Sequence, residues 1–225
     1  MTQPSEPERL SSFLLELYGG DPFGHVRDAS NEHREAHGSE CDVYPSDPIK
    51  IRLLATLVRA AGARHILEIG CGLGYSALWL ADAVGPDGHV DTIDRFPEHV
   101  ALARQYVSAA GFSGRLQVIE GEGVDILAEL SGPYDLVHDD GWFASEPTYL
   151  QRSIDLLRPG GLLALSNWFL LEEALTDRPK MDWSTFAGPD WADHVQAYAR
   201  KLTSHPQLSL AFVLRPWLGL AVKTA

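Results

Sequence analysis

Apolar and polar positions follow two alternating periods along the chain from about residue 46. Short apolar runs, typical of buried strands, alternate with segments in which apolar residues recur every three or four positions, typical of amphipathic helices. Short connections between them favour parallel strands, so we expect an α/β fold. The last of these helices is expected to stop at the Arg158-Pro159-Gly160-Gly161 turn. The pattern predicts strands near residues 66–67, 90–94, 116–119, 134–139 and 162–165, and helices over 47–61, 77–83, 97–110, 124–130 and 147–157.

The two ends of the chain depart from this alternation. Residues 208–214 and 218–222 form two predicted strands joined by a short link, which favours an antiparallel hairpin at one edge of the sheet. Residues 1–45 are expected to form a cap, with one amphipathic helix followed by a polar loop rich in His, Glu and Gly. We therefore expect a single domain over residues 1–225, in which the cap precedes an α/β core at 46–225.

The first predicted strand runs directly into a glycine-rich turn that contains Gly70, Gly72 and Gly74, and then into a helix. These glycines let the backbone turn tightly and approach a ligand, while the free N–H groups of the helix start attract anionic groups. Asp94 ends the second strand, 20 residues beyond Gly74, where a carboxylate can accept hydrogen bonds from ribose hydroxyls. The pattern predicts a nucleotide-type cofactor site.

The glycine spacing alone does not select the ligand, because a dinucleotide pattern also passes through Gly72, Gly74 and Ala77. A nicotinamide or flavin enzyme is therefore an alternative. Glu68, two residues before the first glycine, favours a cofactor with a cationic amino group, such as a methionine moiety, over a pyrophosphate. The other interpretation of Glu68 is a strand-end carboxylate paired with a neighbouring group.

Composition limits the kind of partner. The chain has 225 residues, of which 45% are hydrophobic and 22% charged, which is enough for one sizeable core. Its formal net charge of -13 argues against duplex nucleic acid and anionic membranes, because binding to phosphates rests mainly on Lys and Arg. The sequence has no predicted membrane span or export signal, so we expect a cytoplasmic protein with small-molecule substrates and reduced Cys41 and Cys71.

Several motifs follow one another along the chain in a characteristic order. They are Glu68-x-Gly70-x-Gly72-x-Gly74-Tyr75-Ser76, Asp94, Gly121-Glu122-Gly123, Tyr134-Asp135-Leu136-Val137-His138-Asp139-Asp140, Leu157-Arg158-Pro159-Gly160-Gly161 and the closing hairpin. With these motifs in this order, the chain resembles the small S-adenosylmethionine-dependent O-methyltransferases of the caffeoyl-CoA and catechol type from about residue 43 onward.

The resemblance implies a Rossmann-like, mostly parallel sheet of seven strands in the order 3-2-1-4-5-7-6, with helices on both faces and an N-terminal helical segment over the acceptor pocket. A homodimer is common in the family. The resemblance also implies that Glu68 and Ser76 hold the methionine part of S-adenosylmethionine and that Asp94 holds its ribose. Gly123 would meet the adenine, and Ser46 would lie under the methionine end.

Asp140 is the central candidate of the resemblance. In the family, the matching aspartate touches the methionine amino group and ligates a divalent metal that binds the acceptor. The adjacent Asp-Asn ligands of the family are Ser166-Asn167 here, which weakens a magnesium site because one carboxylate is missing. In the family, a lysine that is a proposed proton acceptor usually follows the aspartate that matches Asp140, and Phe143 occupies its position here. Either Asp140 and Asn167 still bind a metal, or the acceptor is oriented without one.

Histidines are the natural candidates for the missing base, because their pKa lies near working pH. His138 lies two residues before Asp140 on the same side of its strand, and the alternative is a hydrogen-bonded structural role. His33 and His37 have i, i+4 spacing that would suit a metal or a phenol if the cap were helical there. The alternative for both is a solvated loop.

Aromatic residues cluster after the fourth and fifth strands, where an acceptor would lie. Trp142 and Trp168 are candidates for the walls of a pocket for a planar ring, and core packing is the alternative for both. For Trp183 and Trp191 we favour packing.

These observations predict in-line methyl transfer from S-adenosylmethionine to an oxygen of a small aromatic or hydroxylated acceptor, with Asp140 and His138 as candidate catalytic residues. Three alternatives remain open: a S-adenosylmethionine-binding protein without catalysis, an N-methyltransferase for small amines, and a nicotinamide-dependent oxidoreductase. Cofactor titration and an acceptor screen separate them.

Overall fold

The computed structural model describes residues 6–38, 41, 43–141, 148–177, 179–180, 182–184, 188–214 and 218–224. Its sheet contains β1 His65–Ile69, β2 His89–Asp94, β3 Leu116–Glu120, β4 Tyr134–Asp139, β5 Leu157–Leu165, β6 Leu208–Leu214 and β7 Leu218–Lys223. The strand order is β3-β2-β1-β4-β5-β7-β6, which confirms the order that the resemblance implies. The first five strands are mutually parallel, and β7 pairs antiparallel with both β5 and β6. The predicted hairpin therefore closes one edge of the sheet.

The helices of the described ranges alternate with the parallel strands. None of them combines the length and apolar character needed to cross a membrane. They are α1 Glu6–Leu17, α2 Gly24–His37, α3 Pro48–Ala61, α4 Tyr75–Val84, α5 Pro97–Ala109, α6 Gly123–Glu129, α7 Thr148–Leu156, α8 Phe169–Ala174 and α9 Trp191–Ser204.

Two hydrophobic clusters fill the two faces of the sheet. Successive side chains of β1 point to opposite faces, so Ile66 belongs to one cluster and Leu67 to the other. The first cluster contains buried residues of α3, α4 and α5, and the second contains residues of α6, α7, α8 and α9. Because β1–β5 are parallel, their carboxyl ends share one edge of the sheet, where a ligand crevice is expected.

The cap differs from its prediction. Residues 24–37 form helix α2 where the sequence predicts a polar loop, because the segment buries Val26 and Ser30 against the core while its remaining, mostly polar side chains are partly or fully exposed to solvent. The predicted helix α1 is present, but Leu10, Phe13 and Leu17 on its apolar face are exposed.

The cap is attached to the core next to the glycine turn. The Tyr75 hydroxyl donates to Asp21 Oδ2 at 2.7 Å, and Arg27 Nη1 donates to the same oxygen at 3.0 Å. Phe23 packs edge-on against Trp79 of α4, with ring centroids 5.8 Å apart. These contacts join the start of α2 to α4, the helix that follows the glycine turn.

The start of β5 is a second difference from the prediction. The turn expected at Arg158–Gly161 belongs to the strand as an irregularity, because Tyr134 pairs with Leu157 while Leu136 pairs with Leu162. Arg158 Nε donates to Asp135 Oδ1 of β4 at 2.6 Å, which holds the extra residues against the sheet. The helix α7 accordingly runs into the strand without an intervening loop.

Candidate active site

The carboxyl ends of β1 and β4 meet at the glycine turn. Gly70 has φ +94°, and a Cβ there would lie 3.0 Å from the backbone carbonyl of Asp140. Its N–H donates to the Ile93 carbonyl of β2 at 2.9 Å, and the Asp140 N–H donates to the Ile69 carbonyl at 2.9 Å. Glycine is therefore required at residue 70 both by its backbone angle and by the close approach of β4.

Asp94 is fixed at the end of β2 by the same turn. The Gly72 N–H donates to Asp94 Oδ2 at 2.7 Å, and the Phe96 N–H donates to Oδ1 at 3.0 Å. The carboxylate is buried, and His99 Nδ1 lies 3.5 Å from Oδ1, so Oδ2 keeps a lone pair for a further donor. This geometry is suited to ribose hydroxyls, the role that the sequence predicts.

Glu68 lies in β1 with no solvent exposure. Thr92 Oγ1 donates to its Oε2 at 2.7 Å, and His138 Nδ1 lies 3.2 Å from its Oε1. These contacts correspond to the alternative interpretation, a carboxylate paired with neighbouring groups. Contact of Glu68 with a methionine amino group stays a prediction.

His138 is also fully buried. A carboxylate only accepts hydrogen bonds, so Nδ1 donates to Glu68 Oε1, and Nε2 lies 3.0 Å from Ser166 Oγ. The nearest approach of Nε2 to Asp140 Oδ2 is 4.0 Å. This arrangement favours a positioning role for His138 over direct contact with an acceptor, and its role as a base stays a prediction.

Lys50 is the functional candidate that the sequence reasoning missed. Its Nζ lies 3.2 Å and 3.3 Å from the two oxygens of Asp140 and 3.0 Å from Ser166 Oγ. Only 8% of its side chain is exposed. A sequence signal existed, because Lys50 lies on the buried face of α3, four and eight residues before Leu54 and Val58. A lysine in such an apolar stripe requires a buried partner.

Asp140 is held as an anion. Burial alone would raise its pKa, but Lys50, then His138, and hydrogen bonds from Ser46 and Ser166 outweigh burial and lower the pKa to about 2. Ser46 Oγ donates to Asp140 Oδ2 at 2.8 Å. Because Asp47 caps α3 through the backbone N–H groups of Ile49 and Lys50, the start of α3 directs both Ser46 and Lys50 toward this carboxylate.

The residues at the implied metal site do not fit a divalent cation. Asp140 is the single carboxylate among Asp140, Ser166 and Asn167, and its oxygens face the Lys50 ammonium. Asn167 Nδ2 donates to the Gly141 carbonyl at 3.1 Å, so this side chain links the ends of β4 and β5. Magnesium needs anionic oxygen ligands, and a second cation beside Lys50 would be repelled.

The remaining predicted cofactor residues lie around the same crevice. Ser76 is buried in the first turn of α4, directly after the glycine turn. Gly123 begins α6, and a Cβ there would lie 2.6 Å from the Tyr149 hydroxyl. Gly123 therefore leaves room beside Tyr149. Contact of Ser76 or Gly123 with a cofactor stays a prediction.

Trp168 is buried in the core, with 1% of its surface exposed. A Cβ at Gly219 of β7 would collide with its indole ring, and its ring centroid lies 6.4 Å from that of Tyr198. This burial favours packing over a place on the acceptor wall. Trp183 and Trp191 also contact each other, with ring centroids 6.4 Å apart. The predicted pocket residue Trp142, and Phe143 beside it, lie outside the described residues.

Sequence comparisons identify relatives of this chain. The O-methyltransferase family model matches residues 39–213. The chain is 38% identical over 169 residues to a catechol O-methyltransferase of Mycobacterium tuberculosis, a match that covers 74% of each chain. It is 40% identical over 115 residues to a relative in Mycolicibacterium vanbaalenii, and that match spans 50% of this chain and 51% of the relative.

A solved structure agrees with the sequence relatives. The O-methyltransferase TomG from Streptomyces achromogenes, involved in tomaymycin synthesis and solved in complex with SAM, is 28% identical to this chain. The superposition has a TM-score of 0.77 and covers 99% of this chain and 100% of TomG. With its seven-stranded order, its glycine turn and a family match over most of its length, the chain belongs to the O-methyltransferase family.

Proposed function

We propose that this protein transfers a methyl group from S-adenosylmethionine to a hydroxyl of a small, aromatic or hydroxylated acceptor, and that the Lys50 ammonium takes the place of a divalent metal. The observation that carries this proposal is the position of Lys50 Nζ, within 3.0–3.3 Å of Ser166 and Asp140. A fixed cation at the carboxyl edge of the sheet supplies the positive charge that an acceptor oxygen needs.

The cofactor part of the proposal rests on the glycine turn and Asp94. These groups offer close backbone approach and a ribose acceptor at the carboxyl ends of β1 and β2. The similar Streptomyces protein was solved with SAM, which supports the same cofactor here. A nicotinamide cofactor is disfavoured by the terminal antiparallel hairpin and by the family match.

The contacts of Lys50 fix the place of its positive charge. An ammonium has three N–H donors, and these face the two oxygens of Asp140 and Ser166 Oγ. An acceptor oxygen at this edge of the sheet would therefore interact with the charge of the ammonium, or share a donor with Asp140. Asp140 and Ser166 thus orient the ammonium. The hydroxyl of Ser166 is held in turn between Lys50 and His138, and His138 is held by Glu68.

The chemistry needs little covalent participation by the protein. S-adenosylmethionine supplies an electrophilic methyl on a sulfonium, and the acceptor oxygen attacks it in line as the carbon–sulfur bond breaks. Lys50 stabilises the acceptor oxyanion, and the acceptor proton leaves to solvent or to a nearby base before or during attack. Acidic acceptors such as phenols suit a site whose main contribution is a positive charge.

The experiment has two readouts that separate cofactor binding from transfer. Calorimetric titration with S-adenosylhomocysteine, with magnesium and with a chelator, tests the cofactor site, and binding of equal strength in both is expected. Methyl transfer to a panel of phenolic acceptors is then measured under both conditions. Transfer that continues in chelator supports the metal-free mechanism, whereas transfer that stops in chelator and returns with magnesium overturns it.

The second candidate function is binding of S-adenosylmethionine without catalysis. The ion pair between Lys50 and Asp140 also favours it, because the pair occupies the place where an acceptor would bind. This function predicts S-adenosylhomocysteine binding with no transfer to oxygen or nitrogen acceptors in either condition. Failure to bind S-adenosylhomocysteine, with the protein folded, overturns the cofactor assignment itself.

A further inference from the structure

A second cluster of metal-binding side chains lies between the cap and the core, outside the site described above. His33 and His37 extend from the last turns of α2, Cys41 follows α2, and Glu98 and His99 lie in the first turn of α5. The i, i+4 pair that the sequence indicated is helical, and the fold supplies the further ligands that the sequence could not name.

The donor atoms of these residues converge. Those of His33, Cys41 and His99 all lie within 4.8 Å of one another, and those of His33, His37 and Glu98 do so as well. The His33 ring centroid is 4.1 Å from that of His37 and 5.4 Å from that of His99. His33 is therefore shared by both groups and lies at the centre of the cluster.

A hydrogen bond leaves the metal-binding nitrogen of His37 available. His37 Nδ1 lies 2.8 Å from the His33 carbonyl and must donate to it, because a carbonyl oxygen only accepts. In this ring the lone pair is then on Nε2. His99 has the Asp94 carboxylate beside it, with Nδ1 and Oδ1 3.5 Å apart. A carboxylate behind a histidine is the usual support of a metal ligand.

Burial and neighbouring imidazoles agree with neutral ligands. Cys41 and His99 are buried, and His33 is partly buried. Burial, and then the nearby His37 and His99, lower the pKa of His33, although Glu98 opposes this shift. Neutral imidazole is the form that binds metals.

We propose that His33, Cys41 and His99 bind one Zn²⁺ ion, with His37 or water as the fourth ligand. Two imidazoles and a thiolate form a donor set typical of tetrahedral zinc, and unlike that of magnesium or calcium. Tetrahedral zinc places its nitrogen and sulfur ligands about 3.3–3.6 Å apart. Since the donor atoms all lie within 4.8 Å of one another, they need to close by at most roughly 1 Å, which is within the range of side-chain rotation at the end of α2.

The position of the site gives it a structural consequence. The ion would join α2 of the cap to α5 of the core, and through His99 it would contact the Asp94 carboxylate that also accepts from Gly72. Zinc binding is thus expected to fix the cap over the crevice and to raise the melting temperature of the full chain.

The test uses the metal alone as the probe. Full-length protein is stripped with a chelator, dialysed and titrated with CoCl₂ and, separately, with ZnCl₂ in competition with a chromophoric chelator. One equivalent of cobalt is expected to produce the visible bands of tetrahedral cobalt and a near-ultraviolet thiolate charge-transfer band, and zinc is expected to remove both. Spectra of wild-type protein without these bands overturn the proposal, whatever the variants do.

Variants assign the ligands. Cys41→Ser is expected to lose the charge-transfer band, and His99→Gln is expected to weaken zinc affinity at least tenfold. His25→Gln is the matched control, because His25 lies on the same helix and contacts Tyr106 instead of the cluster. Equal zinc affinity in Cys41→Ser, His99→Gln and wild type overturns the site. Any variant that fails to fold is replaced by His33→Gln, and the wild-type spectrum still decides the proposal.

Discussion

Lys50 shows how one side chain changes the chemistry expected of a site. Lys50→Met keeps the length of the side chain but removes the charge, and it leaves Asp140 buried without its main partner. Methyl transfer is expected to fall by roughly 10²–10³-fold, the usual effect of removing a donor to a developing oxyanion. The rate at saturating acceptor is the measurement.

The matched control is Lys180→Met, the same change at a side chain that is 90% exposed. It is expected to leave the rate unchanged. A Lys50→Met enzyme that transfers methyl groups at the wild-type rate would contradict the role given to the ammonium.

Gly70 gives a second prediction at this scale. Gly70→Ala adds a Cβ at φ +94° and 3.0 Å from the Asp140 carbonyl, so the turn must move away from β4. We expect the free energy of unfolding to fall by about 1–3 kcal/mol and S-adenosylhomocysteine affinity to fall at least tenfold. Gly111→Ala separates the effect of the backbone angle from that of the close approach, since Gly111 has φ +73° but nothing lies within 4 Å of the added Cβ. It should lose stability but bind the ligand normally; equal loss of affinity in both variants would contradict the prediction.

The sequence indicated the glycine turn and the position of Asp94 better than it indicated the contacts made by the buried polar side chains. The turn and Asp94 could be placed because their geometry depends on local backbone chemistry, and their contact with a cofactor stays a prediction. Lys50 was not identified, because its partner Asp140 is 90 residues away and the apolar stripe of α3 hides the exception. Glu68 was identified as functional, but the groups paired with it, Thr92 and His138, come from two other strands.

At the scale of elements, the sequence predicted β1–β4, β6, β7 and helices α3–α7 to within a few residues, but it predicted neither the helical state of α2 nor helices α8 and α9. Helix α2 buries few apolar side chains, so its periodicity is weak, and contacts with α4 and α5 stabilise it. The irregular start of β5 was missed for the same reason, since it depends on the distant contact between Arg158 and Asp135. Non-local contacts override local propensity in both cases.

The attachment of the cap is testable through one hydrogen bond. Tyr75→Phe removes the hydroxyl that donates to Asp21 at 2.7 Å and leaves the ring packed. We expect a loss of about 1 kcal/mol in the free energy of unfolding and faster amide hydrogen exchange in α2, with exchange in β1 and β4 unchanged. Tyr106→Phe, a partly buried tyrosine of α5, is the control. Uniform acceleration across the molecule would contradict a local effect.

For the whole molecule, the order of the sheet came from the family resemblance and not from the periodicity. Alternating strands and helices are compatible with several strand orders of a doubly wound sheet, and only the terminal hairpin reduces the number of possible orders. The insertion of β7 between β5 and β6 depends on pairings such as Leu163 with Ala221, which no local pattern encodes. The homodimer and the cytoplasmic location stay predictions, and light scattering of the purified chain tests the first.

The pH dependence of overall stability follows from two neighbouring carboxyls with opposite shifts. Burial raises the pKa of Asp139 to about 6, despite the hydrogen bond from Gly141 and the nearby His138, and Asp140 adds to the rise. The pKa of Asp140 is lowered to about 2, chiefly by Lys50 against the effect of burial. The contribution of Asp140 to stability is therefore complete above the unfolded pKa of about 3.9 and is lost as pH falls toward 2.

Asp139 has the opposite effect on the pH dependence of stability, and over a different pH range. Between about pH 4 and pH 6 the folded state keeps a proton that the unfolded state has released, so stability falls as pH rises, by about 3 kcal/mol in total. Asp139→Asn keeps an oxygen for the Gly141 N–H, and we expect it to be more stable than wild type at pH 8 but similar at pH 4. Urea unfolding at a series of pH values measures the difference. Asp87→Asn, at a side chain that is 78% exposed, should show no such trend. A constant difference between Asp139→Asn and wild type from pH 4 to pH 8 would show that Asp139 does not titrate with a raised pKa.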